Sequence, residues 1–285
     1  MNDGTIILGT LQGNYKISIA DGATVTLKDA NITCMDGKAG ITPLGDATIL
    51  LEGTNTVRGG GDNPGIYVPG NKTLTIDGTG SLDASSNGNA CGIGGGYGIG
   101  AVGNIVINGG TITATGSDGS AGIGGSNEAG CGSITINGGT VTANGGEYGA
   151  GIGCGELGSC GGITISGGTV TANGGGCGAG IGTGDSGSCG DITINGGTVT
   201  ANGGDYGAGI GSGFCGGCGN ITITGGTVNA SGVWGGAGIG TGFEGSCGNI
   251  NITGGTIHTS GNHSIGAGDD GSCGSVNIES GANII

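Results

Sequence analysis

Carboxylates and aromatic rings recur in this sequence at intervals that would bring them side by side. Glu128, Glu156, Asp185, Glu244 and the Asp269–Asp270 pair each lie a few residues after a Gly-Ile-Gly-like segment, and Asp118, Glu147 and Asp205 lie in a second series of loops. Oxygen-rich acidic loops suit Ca²⁺. Copies on adjacent coils of a stacked structure would lie about 5 Å apart, close enough for two or three carboxylates to share a cation. The competing reading is a solvated loop charge that favours solubility. Tyr148 and Tyr206 hold one repeat position, and Trp234 aligns with Asp205, one position earlier. Exposed rings there could stack on sugar faces or merely cover an edge. An adjacent acid pair such as Asp269–Asp270 could also serve glycoside hydrolysis, one acid protonating and another activating water, but no basic or aromatic cleft accompanies it. His258 and His263 have no third ligand in view.

The elements that would position these residues follow from a strict repeat. Ile105, Ile134, Ile163, Ile192, Ile221 and Ile250 are 29 residues apart, and Cys131, Cys160, Cys189, Cys218 and Cys247 keep the same period. Cys273 arrives 26 residues after Cys247, three residues being missing from the loop after Gly261. The segments 24–33, 48–57 and 74–84 are diverged versions of the same unit. About ten coils of about 24–31 residues result, roughly 50 Å long at about 4.8 Å per coil. The expected organisation is an irregular coil or cap over 1–20, diverged coils over 21–104 and regular coils over 105–285, in one continuous domain.

Each unit supplies three short strands. In Ile134–Thr135–Ile136 the isoleucines point inward, in Thr140–Val141–Thr142–Ala143 the valine and alanine do, and in the Gly149–Gly153 segment Ala150 and Ile152 do. The last segment is expected to leave Gly149, Gly151 and Gly153 as a bare outward strip. Nothing shows a 3.6-residue period, and glycine this dense would destabilise a helix. Equivalent strands must run parallel, and crossovers between parallel strands are right-handed. The fold expected is therefore an all-β, right-handed parallel β-helix with three strands per coil.

Composition narrows the function. The 285 residues include 83 Gly but only three Pro and no Gly-X-Y period, which excludes collagen. Net charge is −15, and no Lys or Arg follows Lys72. Nucleic acid is excluded as a partner, since phosphate neutralisation needs basic side chains. An anionic glycan would need a divalent cation between two negative surfaces. No apolar run reaches membrane-spanning length. The weakly charged Gly/Thr/Asn-rich repeats favour a secreted or cell-surface protein over a cytosolic one. The cysteine column, with Val102 in the equivalent place one coil earlier, suggests a buried, reduced ladder, with some disulfides and, least favoured, a metal site as the alternatives. Outward threonines form two columns, one through Thr111, Thr140, Thr169, Thr198, Thr227 and Thr256. Such Thr-x-Thr columns resemble the ice-binding faces of β-solenoid antifreeze proteins, and threonine is equally a good residue for any solvated strand.

The mixture of TLTIDGTGSLDAS, GAGIG and ITINGGTVTANGG coils resembles the parallel β-helix carbohydrate-binding surface proteins of anaerobic Gram-positive bacteria. The resemblance covers most of the chain from about residue 20. It implies pectin-lyase-like coils, binding of polygalacturonate-type glycans, bound calcium and no demonstrated cleavage. It carries no calcium-ligand motif onto particular positions of this chain, so the acidic loops stand on their own pattern. The leading expectation is a carbohydrate-binding protein assisted by Ca²⁺. A structural stalk and an ice-binding face are the alternatives, and an enzyme is the least favoured.

Overall fold

The computed structural model describes residues 1–35 and 37–285. It is a right-handed parallel β-helix, and among the described residues there is no helix. One column stacks Ile-x-Ile strands such as Ile134–Ile136, and a second stacks Thr-Val-Thr strands such as Thr140–Asn144. These two are hydrogen-bonded into a 20-stranded assembly because Thr24–Cys34 runs through both. A third column of ten strands carries Ile-Gly pairs such as Ile152–Gly153, and about nine turns separate its ends.

Register explains why the coils stay in step. Ile134 pairs with Ile163 and Ile163 with Ile192, and Val141 pairs with Val170 and Val170 with Val199. A slip of one residue would turn every isoleucine to solvent. The expected inward residues are buried: Ile134, Ile136, Val141, Ala143, Ala150 and Ile152 are at most 1% exposed. Full burial of one such aliphatic side chain stabilises by about 1.5–3 kcal/mol, and each coil contributes several. The partner threonines face out, Thr140, Thr169 and Thr198 being exposed and Thr142, Thr171 and Thr200 half-buried. At the end of this column the amide of Asn202 donates to Asn173, and that of Asn173 to Asn144, each at 2.8 Å. Such amide ladders fit identical side chains stacked in register.

Three features depart from expectation. First, the glycine strip is not a bare outer face. Gly149, Gly151 and Gly153 are buried, and a Cβ on Gly151 would stand 2.7 Å from the backbone nitrogen of Asn173 and 2.7 Å from the Gly180 oxygen. Each glycine faces the backbone of a neighbouring coil, Gly151 against the end of the Thr169–Asn173 strand and Gly153 against Gly182, and only glycine permits the approach. Second, a fourth column of five two-residue strands, from Ser159–Cys160 to Ser272–Cys273, supplements the three in the C-terminal half. Third, that cysteine column lies at the rim of the core. Cys160 is buried, whereas Cys131, Cys189 and Cys218 are half-buried, and Cys247 is disulfide-bonded to Cys273. The wholly reduced, buried ladder is thereby corrected.

The N-terminal segment is hydrogen-bonded into the stack. Thr5–Gly13 pairs in parallel with Thr24–Cys34, with a register shift between Leu8 and Gly9. Ile7 and Leu11 pack partly on the core, while Ile6 and Leu8 stand exposed.

These placements separate two kinds of substitution. Ile165→Ala should cost about 2–5 kcal/mol, Gly180→Ala about 1–3 kcal/mol through overpacking, and Thr171→Ala no more than about 0.5 kcal/mol. Denaturant midpoints measure all three. A Gly180→Ala protein as stable as its parent would show that the glycine strip has room for side chains.

Candidate functional site

Two loops per coil meet along one edge of the solenoid. The first follows the Thr-Val-Thr strand and passes through Asp118, Glu147–Tyr148, Gly176–Cys177, Asp205–Tyr206 and Trp234–Gly235. The second follows the Ile-Gly strand and passes through Asn127–Glu128, Glu156–Leu157, Asp185–Ser186, Phe214–Cys215, Phe243–Glu244 and Asp269–Asp270. Backbone bonds tie one series to the other across successive coils. The N–H of Asp185 donates to the Tyr148 carbonyl at 2.9 Å, that of Phe214 to Cys177 at 2.8 Å, and that of Phe243 to Tyr206 at 2.9 Å. Beneath the second series, buried hydroxyls hold each loop to the next. Thr183 Oγ1 accepts from the Gly213 N–H at 2.8 Å, Ser212 Oγ from Gly242 at 3.1 Å, and Thr241 Oγ1 from Gly268 at 2.8 Å. Side chains on this edge are therefore displayed from a fixed backbone.

The three expected sugar-stacking rings all reach solvent here. Trp234 is 67% exposed, and Tyr148 and Tyr206 are each 37% exposed. They are not equivalent. Tyr206 lies edge-on to Phe214 and Phe243, with centroids 5.7 and 6.1 Å away, and the two phenylalanines stack at 5.9 Å. That cluster fixes the Tyr206 ring. Phe214 and Phe243 are 29 residues apart, so the stack was readable from the repeat, though its contact with Tyr206 was not.

The six expected metal-ligating acids do not form one set. Glu156, Asp185 and Asp269 share a column, interrupted by Phe214 and Phe243. Glu128, Glu244 and Asp270 occupy the next position, where every residue from Glu128 to Asp270 has a left-handed backbone with φ between 51° and 56°. Several acids are engaged locally. Asn127 Nδ2 donates to Glu156, Ser186 Oγ to Asp185 at 2.7 Å, and Cys215 Sγ to Glu244 at 3.3 Å, while Asp269 pairs with His263 Nε2 at 2.6 Å. Glu128 and Tyr97 line a cleft of about 440 Å³ beside the 97–101 loop. Among the described residues, no three His, Cys, Asp or Glu side chains form a group that could hold a metal ion.

Carboxylates of both loop series bear on Cys177, a half-buried residue that the pattern of acids and rings did not single out. Burial pushes its thiol up, and Asp185, Glu147, Asp205 and Glu156 push it further, to about 11. The field brings Glu156 and Asp185 together with Glu147 and Asp205 of the other loop series. Tyr148 and Tyr206 occupy the same position as Cys177 on the coils before and after. The signal that could have found this site was the shared 29-residue position of Tyr148, Cys177 and Tyr206.

Among families of known proteins, the β-helix repeat family matches this chain in six segments, residues 74–97, 105–127, 134–156, 163–185, 192–214 and 221–243. Each segment runs from an Ile-x-Ile strand, or its Leu74 equivalent, to the second loop. Comparison with curated proteins and with solved structures finds no match.

The electrostatics at Cys177 can be checked by alkylation. Because its thiol is held protonated well above pH 8, Cys177 should label slowly there. Asp185→Asn removes the largest of the neighbouring charges that raise the thiol, so more thiolate forms and labelling of the Cys177 peptide should accelerate at unchanged pH. An unchanged rate would show that these carboxylates do not bear on the thiol.

Proposed function

We propose that this parallel β-helix protein is a secreted or cell-surface binding protein for an acidic, pectin-like polysaccharide held along the loop edge with Ca²⁺. One observation carries the reading: the exposed rings Tyr148, Tyr206 and Trp234 share a backbone-fixed edge with Glu147, Glu156, Asp185 and Asp205. Tyr148 and Tyr206 are two coils apart, about 10 Å at the strand spacing, so a linear glycan along the solenoid axis could meet both. Aromatic faces supply apolar contact while the hydroxyl remains in water.

Charge then requires a mediator. The chain carries −15 and has no Lys or Arg beyond Lys72, so a polyanion is repelled unless a cation lies between. Ca²⁺ accepts carboxylate, hydroxyl and water oxygens in flexible geometry. A bridging ion needs only one or two protein carboxylates, with the glycan and water completing its shell. Glu147, Glu156, Asp185 and Asp205 are the donors proposed here. Asp269, Asp270, Glu244 and Glu128 lie outside that group and are not needed for it.

The test is retention on insoluble pectin, cellulose and xylan, with calcium and then with a chelator. Retention on pectin alone, abolished by chelation, is expected. Replacing Tyr148 and Trp234 by Ala removes two stacking rings worth about 0.5–1.5 kcal/mol each, which at about 1.4 kcal/mol per tenfold should weaken retention by roughly 5- to 140-fold. Retention on no glycan, or calcium-independent retention on all three, would overturn the reading in favour of a structural shaft. Inhibition of ice recrystallisation by the parent protein would instead favour the threonine face.

A further inference from the structure

The cysteine column follows the second loop in each coil and is not among the residues proposed above for glycan binding. Its six members, Cys131, Cys160, Cys189, Cys218, Cys247 and Cys273, stand on successive coils in unshifted parallel register. The bonded pair Cys247–Cys273 has a Cα separation of 4.6 Å, within the range that a disulfide spans. Parallel strand stacking repeats that spacing between every adjacent pair.

We infer that the column is a site of covalent modification by small disulfides, which close it into three stacked bonds, Cys131–Cys160, Cys189–Cys218 and Cys247–Cys273. Parity selects this pattern. With Cys247 joined to Cys273, four thiols remain, and adjacent pairing consumes all four only as 131–160 and 189–218. The shifted pattern, 160–189 and 218–247, strands Cys131 and Cys273. Access is provided because Cys131, Cys189 and Cys218 are half-buried at the rim rather than enclosed. Reactivity is also favoured at one place. Cys160 and Cys218 flank Cys189 on the neighbouring coils, and the proximity of their thiols lowers the Cys189 thiol while Cys160 and Cys218 are themselves raised.

The chemistry balances as thiol–disulfide exchange. The Cys189 thiolate attacks one sulfur of a small disulfide such as oxidised glutathione, forming a mixed disulfide and releasing one glutathione thiolate. The Cys218 thiolate then attacks the protein-side sulfur and releases the second. Two protein thiols are oxidised, the small disulfide is reduced to two thiols, and the two protons pass to the released thiolates. Each bond staples two neighbouring coils, so the oxidised solenoid is tied in pairs along one edge.

The experiment treats the folded chain with oxidised glutathione, blocks residual thiols with N-ethylmaleimide and digests it without reduction. Cleavage after Asp and Glu separates all six cysteines, because Glu147, Asp185, Asp191, Glu244 and Asp269 fall between successive members. The expected linked peptides are 131–160, 189–218 and 247–273. Cys34, Cys91, Cys154, Cys177 and Cys215 should carry maleimide or none, but no cross-link. In the Cys131→Ala chain, one of Cys160, Cys189 and Cys218 should remain unpaired. Predominant 160–189 or 218–247 links, a Cys154–Cys160 link, or maleimide on all four remaining column thiols would each overturn the inference.

Discussion

Everything in this molecule depends on the spacing of one parallel strand upon the next, about 4.8 Å. Because the repeat places like residue upon like, each side chain must be compatible with its own copy at that distance. Isoleucine, valine and alanine satisfy the condition by packing, asparagine by an amide ladder, and phenylalanine by stacking at 5.9 Å. Carboxylates do not satisfy it unaided. The acid column accordingly reads Asn127, Glu156, Asp185, Phe214, Phe243, Asp269, with no run of acids longer than two. The same spacing brings half-exposed thiols into line and makes one of their pairs a disulfide.

The architecture divides labour between faces. The Ile-x-Ile and Thr-Val-Thr columns carry the packing, with little variation from coil to coil. The glycine column is equally constrained for a different reason, since backbones approach there too closely for a Cβ. Only the loop edge is released from both demands. Its backbone is pinned by N–H groups donating to carbonyls of the neighbouring loop series and to buried hydroxyls at Thr183, Ser212 and Thr241. Rings and acids gather where side-chain identity is least dictated by the fold.

Most of the fold was legible in the sequence because a 29-residue period with alternating Ile and Thr leaves few alternatives. Inward and outward assignments held at Ile134, Val141, Ala143 and Ile152 for the same reason. The glycine strip was misread because alternation assigns a side but not a distance. Gly151 does alternate with Ile152, yet the backbone of the neighbouring coil lies where solvent was expected. The cysteine column was misplaced by a similar gap, as the period shows that thiols stack but not how deep the stack lies. At the edge, the sequence identified Tyr148, Tyr206 and the acidic loops. It grouped Glu156 with Asp269 and missed Cys177, because the interplay of the two loop series depends on how each bends across to the other.

The left-handed position in the second loop has a consequence for how such a chain diversifies. Glycine adopts that conformation at no steric cost, and this chain has 83 glycines. Yet Glu128, Leu157, Ser186, Cys215, Glu244 and Asp270 occupy it in succession. An acid, an aliphatic residue, a hydroxyl and a thiol are tolerated in turn, so the hydrogen-bonded frame sets the torsion and leaves the side chain unspecified. Mutation can rewrite this one register letter by letter while the ladders on either side stay in phase, giving the solenoid a track for sequence drift that does not propagate into its core.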